Sequence, residues 1–111
     1  MYNQGDIVVI KFPFSDLSEV KKRPALIISN DAVNKTGDYL MVQITSKVKN
    51  DGLSFKLSKE NYVNNKYLPL ESYIRLYKIF LLNSNLILYK ATSINNVCFK
   101  EITKKIIELI N

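Results

Sequence analysis

The 111 residues make one domain, 1–111, long enough to bury a core without metal or disulfide support. The balance is basic, 16 Lys and Arg against 10 Asp and Glu for a net charge of +6, which favours polyanionic partners and says nothing about fold. Histidine is absent and Cys98 is the sole cysteine, which excludes an internal disulfide, a His/Cys zinc site and any proton transfer run on imidazole.

The N-terminus, "MYNQGD", lacks the charged-then-apolar pattern of a secretion signal. No apolar stretch approaches the roughly 20 residues that cross a bilayer, so a cytoplasmic protein with no membrane partner is expected. "DIVVIKF" (6–12) reads as a strand that Pro13 ends, because proline cannot donate to a ladder. A polar loop, "PFSDLSEVKK" (13–22), leads to a second strand, "PALIIS" (24–29), too continuously apolar to be half-exposed. "NDAVNKTGDY" (30–39) is turn-rich, with room for one short helical turn, and "YLMVQIT" (39–45) is a third strand with Leu40, Val42 and Ile44 on one face. "NDG" (50–52) signals a hairpin that introduces "LSFKL" (53–57). "ESYIRLYKI" (71–79) alternates again, and "NSN" (83–85) turns the chain into "LILYKATSI" (86–94). Phe99, Ile102, Ile106 and Leu109–Ile110 then recur at helical spacing behind a cap at Asn95 or Asn96. The fold class is therefore mainly β: five or six short, mostly antiparallel strands curled into a small barrel, with a C-terminal helix across it.

Two strand ends carry candidate chemistry. Pro24 pushes Arg23 into extended geometry at a strand entrance, where a guanidinium can grip a phosphate with two parallel hydrogen bonds. Lys21 and Lys22 add positive field there. On spacing alone, a surface ion pair with Glu19 accounts for Arg23 as well. Thr45 and Ser46 end the third strand and are followed by Lys47 and Lys49. If strands two and three are neighbours, as sequential strands usually are, Thr45 lies near Arg23. Threonine is also simply a good strand residue.

"GDIVVIKFPFSDLSEVKKRPALIISND", "VQITS" and "SYIRLYKIF", in that order over nearly the whole chain, resemble the MazF/PemK family of bacterial type II toxins. The resemblance implies an SH3-like barrel that forms a homodimer and cleaves single-stranded messenger RNA, selectively for sequence and without metal or other cofactor. It also implies a cognate antitoxin covering the groove, through which the complex binds DNA. Carried over residue by residue, the Arg of the family's Arg-Pro pair is Arg23 and its strand-end hydroxyl is Thr45. Ser18-Glu19 resembles the family's Ser-Glu, and Glu71 or Ser72 occupies the place of an acidic residue that some relatives use.

Metal-free RNA cleavage most simply uses the ribose 2′-hydroxyl as nucleophile, leaving a cyclic phosphate and a 5′-hydroxyl. Arg23 suits the transition-state charge, since a fixed cation aimed at developing negative charge is usually the largest catalytic term. Arginine is a poor base, its ordinary pKa being above about 12, so Arg23 is a candidate to help protonate the leaving oxygen, Glu19 is the candidate base, and Thr45 the hydroxyl that donates a hydrogen bond to the phosphate or orients the 2′-hydroxyl. Lys21, Lys22, Ser46, Lys47, Lys49 and Arg75 are candidate RNA contacts, and Phe14, Tyr62, Tyr67 and Tyr73 candidate stacking surfaces against the alternative of a core role; Phe12 belongs to the core. Two other readings predict different outcomes: a non-enzymatic toxin that poisons a protein such as DNA gyrase, and a plain nucleic-acid-binding barrel that leaves RNA intact.

Overall fold

The β-branched run Asp6–Phe12 forms β1 with the ends its sequence predicts. The structure, a computed structural model, describes residues 1–12, 21–47 and 50–111. β2 (Lys21–Ile27), α1 (Asp31–Asn34), β3 (Asp38–Thr45), β4 (Ser54–Lys56), β5 (Tyr73–Asn83), β6 (Ile87–Ser93) and α2 (Asn96–Glu108) follow. The six strands form one sheet in the order β4-β5-β3-β2-β1-β6, antiparallel throughout.

The segments that follow the two edge strands, β4 and β6, meet. Tyr62, beyond β4, bridges Ile94, beyond β6, and the Val63 N–H donates to the Ser93 carbonyl at 3.0 Å. Among the described residues β4 and β6 do not pair directly, so this short bridge spans the seam of the barrel.

Successive strand residues point to opposite faces, and along β1, β2 and β3 both faces are covered. Ile7, Leu26, Val42 and Ile44 pack inward against Cys98, Ile102 and Ile106 of α2. Val8, Ala25, Ile27 and Met41 pack outward beneath Tyr39 and Leu82, with Phe12 and Phe80 at the margin. That explains the unbroken apolar run of β2. Asn95 caps α2, its Oδ1 accepting the Cys98 N–H at 2.9 Å.

Four expectations need correction. β2 begins at Lys21 and ends at Ile27, so Lys21 and Lys22 are strand rather than loop. Pro24 fits inside it because β2 pairs with β1 from Lys21 onward, whereas its ladder with β3 begins at Ala25. "NDG" does turn, with Gly52 at φ +71 and Asp51 Oδ1 accepting the Leu53 N–H. It does not join neighbouring strands, however: β4 pairs with β5, which lies between β4 and β3. Leu109 and Ile110 lie past the end of α2 and are 44% and 78% exposed, so the buried face stops at Ile106.

Candidate active site

β2 and β3 pair with Ala25 opposite Gln43, Leu26 opposite Val42 and Ile27 opposite Met41. Carried two residues further along each strand, this register sets Arg23 across from Thr45. Both line one cleft of about 360 Å³. Lys22 and Ser46 join them, and Pro69 and Leu70 come from the opposite side, over apolar Val9, Ile44 and Ala91. The described lining residues include two cations and no carboxylate. None of the ion pairs among the described residues involves Arg23, which is half-buried. A cation on an apolar wall acts on a nearby anion through a lower dielectric than bulk water, so its pull is stronger there.

Thr45 Oγ1 accepts the backbone N–H of Lys47 at 3.1 Å. This local turn ends β3 and holds the hydroxyl at the cleft with its proton free to donate. Lys47 is exposed just beyond, and Lys21 is exposed at the outer end of β2, opposite Phe12.

Other candidates stand elsewhere. Arg75 lies on β5 opposite Ser54, 3.9 Å from Asp51 Oδ2 and stacked 5.2 Å over the Tyr77 ring. It does not line the cleft. Tyr73 faces Thr45 across the β3–β5 ladder but is buried, with 9% exposure, and presents no open ring for a base. Glu19, Phe14 and Lys49 lie outside the described residues. Ser72 lines the Arg23 cleft and Glu71 does not.

The Leu68–Ser72 segment also walls a second cleft, of about 510 Å³, lined by Lys56, Lys59, Tyr62, Tyr67 and Glu71. Tyr62 and Tyr67 meet edge to face at 5.5 Å, and Lys59 Nζ sits 5.6 Å from the Tyr67 ring centre. Burial raises the Tyr62 hydroxyl above its ordinary pKa. Tyr73 donates to Glu71 Oε1 at 2.8 Å, and Lys56 Nζ lies 3.4 Å from the same oxygen. The Tyr73 bond first, and Lys56 second, hold the Glu71 carboxyl below the usual carboxylate range. The same bond raises Tyr73. Sequence reasoning missed this segment's part in the Arg23 cleft, because only the curl of the sheet brings residues 68–72 to the end of β2.

A family model described as "PemK-like, MazF-like toxin of type II toxin-antitoxin system" matches residues 3–110. No curated protein matches by sequence. Among solved structures, the chain is similar to an endoribonuclease in complex with its cognate antitoxin from a Mycobacterial species, at 16% identity and a TM-score of 0.78 over 99% of this chain and 95% of that one. It is similar to MazF from Deinococcus radiodurans at 20% identity and 0.77, over 98% and 96%. Toxin MazF-mt6 from Mycobacterium tuberculosis gives 13% identity and 0.73, over 95% of each chain. At these identities the structural likeness establishes the fold.

Proposed function

The chain belongs to the PemK-like, MazF-like toxins of type II toxin–antitoxin systems, and on that premise we propose that it is a metal-independent endoribonuclease that cuts single-stranded messenger RNA at preferred sequences and so arrests growth. The observation that carries this reading is the cross-strand placement of Arg23 and Thr45 in a cleft whose described lining holds cations and no carboxylate. An RNA phosphate is the ligand such a cleft suits, and a ribose supplies its own nucleophile.

In this mechanism the 2′-oxygen loses its proton to a base and attacks phosphorus. The bond to the 5′-oxygen breaks, leaving a 2′,3′-cyclic phosphate and a protonated 5′-hydroxyl. Arg23 donates hydrogen bonds to the non-bridging oxygens as negative charge grows on them, and in this scheme it passes a proton to the leaving 5′-oxygen and regains one from water. The Thr45 hydroxyl donates a hydrogen bond to the phosphate or orients the 2′-hydroxyl. Glu19 is the base in this scheme. Lys22, Ser46 and Lys47 hold the flanking backbone, with Lys21 at the rim, and Lys49 is a further contact in this reading.

The partners follow from the same reading. A cognate antitoxin, acidic where it lies on the toxin, competes with RNA for the cationic cleft, and a second copy of the chain completes a homodimer. The chain acts as a single domain in the cytoplasm, where its substrate is; no helix among the described residues is long and apolar enough to cross a membrane.

The test is to incubate purified protein with a long RNA in EDTA and map the ends. Cyclic phosphate and 5′-hydroxyl ends at recurring sequences are expected, lost in Arg23→Ala. An Arg23→Ala protein that cuts at the wild-type rate overturns the assignment, and RNA left intact by the wild type overturns the activity.

A further inference from the structure

The second cleft shares a wall with the first, yet its chemistry is different. Where the Arg23 cleft has two cations over an apolar floor, the second offers an aromatic surface, a lysine beside it and a carboxylate fixed at one side. Tyr67 is 40% exposed, and the part of its ring that Tyr62 and Lys59 leave open offers a surface on which a base can stack. Lys59, near that ring, suits the phosphate of a nucleotide stacked there. The volume lies within the roughly 300–1,000 Å³ typical of small-molecule sites.

The cleft is also held in shape before any ligand arrives. Tyr62 is tied by its bridge to Ile94, and Asn95 Nδ2 donates to the Glu60 carbonyl at 2.8 Å. Thr92 Oγ1 donates to the Lys66 carbonyl at 2.6 Å. The loop that carries both tyrosines is thus pinned to β6 and to the cap of α2, which lowers the ordering cost of binding.

Glu71 supplies the discrimination. Its Oε1 is occupied by Tyr73 and Lys56, which leaves Oε2 to accept. An ionised carboxylate only accepts hydrogen bonds. It therefore matches a base with an amino group on its pairing edge, as adenine, cytosine and guanine have. Uracil instead presents two carbonyls flanking one N–H, and these repel it.

We propose that the cleft between Tyr67, Lys59 and Glu71 is a nucleobase subsite for a nucleotide next to the one cut at Arg23, selecting an amino-bearing base over uracil. The proposal rests on RNA being the substrate. The subsite sets which sequence is cut, through the wall it shares with the Arg23 cleft.

The test uses fluorescein-labelled 2′-O-methyl hexamers A6, C6 and U6, which lack the nucleophile and cannot be cut, with anisotropy as the readout. Wild-type protein is expected to bind A6 and C6 about five-fold tighter than U6. Tyr67→Ala should weaken all three by about five-fold or more, and Tyr67→Phe should restore them. Glu71→Gln removes a negative charge and so raises affinity for every RNA; its informative readout is the A6-to-U6 ratio, expected to fall towards one. Thermal melts confirm that each variant is folded, and Glu71, largely exposed, gives a second variant if Tyr67→Ala is not. Equal binding of the three hexamers by wild type, or an unchanged ratio in Glu71→Gln, overturns the subsite. A wild-type protein that cuts RNA while failing these binding tests loses the subsite and keeps its activity; one that passes them and cuts nothing loses the activity alone.

Discussion

Thr45 Oγ1 receives the backbone N–H of Lys47, and the side chain is thereby oriented while its proton stays available. If that proton serves the scissile phosphate, a substitution that keeps shape but removes the hydroxyl is informative. Thr45→Val is predicted to lower the cleavage rate about ten-fold, the worth of one hydrogen bond to a charged group. Thr45→Ser should keep most of it. Initial rates in EDTA decide, and equal rates for the Val and Ser variants would sink the role.

In the proposed reaction Arg23 is expected to carry the larger share. Arg23→Ala is predicted to reduce single-turnover cleavage by about 10²–10³-fold, in line with the loss of one fixed donor at a developing oxyanion. Arg23→Lys restores only part of this, since a point charge cannot make the paired bonds of a planar fork. Full rescue by lysine would show that position of charge, and not geometry, is what matters.

Binding should weaken with salt. For single-stranded RNA the slope of log K against log salt is about −0.7 for each phosphate contacted. Lys22→Ala, at the cleft, is predicted to make that slope shallower by about 0.7. Arg75→Ala should leave it unchanged, because Arg75 faces Asp51 and Tyr77 on another part of the sheet. Titrations at four or five salt concentrations read both.

Burial, with Glu101 adding to it, pushes the Cys98 thiol from 9.0 up to about 11. The folded value is raised above the unfolded one, so the associated stability is fully present below pH 9 and fades as pH rises through 11. Denaturation midpoints should therefore fall over that window, and the fall should be shallower in Cys98→Ala. A thiol reagent at pH 8 should leave Cys98 unmodified until the protein unfolds. Rapid labelling of native protein would contradict the burial.

Asp6 is buried and accepts the Asn3 N–H and the Ser93 hydroxyl, each at 2.9 Å, with Lys90 Nζ at 3.3 Å. Asp6→Ala removes one acceptor from several donors and is predicted to cost about 1–3 kcal/mol in chemical denaturation. A neutral effect would mean that water replaces the carboxylate without loss.

Local chemistry was the legible part of this molecule. β1 could be bounded from its β-branched run and Pro13, the α2 cap from Asn95, and the extended Arg23 from Pro24, since each depends on residues within a turn of one another. Even the nearness of Arg23 and Thr45 needed only that sequential strands pair. What could not be read was non-local. β4 leaves its sequence neighbour β3 for β5, and Leu68, Pro69, Leu70 and Ser72 wall both clefts. Nothing in the composition of 58–72 encodes that destination; it follows from the seam between Tyr62 and Ile94, 32 positions apart.

The place of β1 between β2 and the last strand, β6, sets an order of events during synthesis. β1 pairs with β2 on one side and with β6 on the other, and Asp6 meets Ser93 across 87 positions of sequence. A nascent chain that has emerged only as far as β5 has every strand but the one that covers β1's open edge, and no helix to close the inner core. Such a fragment exposes unpaired backbone and apolar surface. The cleft that holds Arg23 and Thr45, whose lining includes Tyr89 and Ala91 of β6, is therefore incomplete until that last strand has left the ribosome.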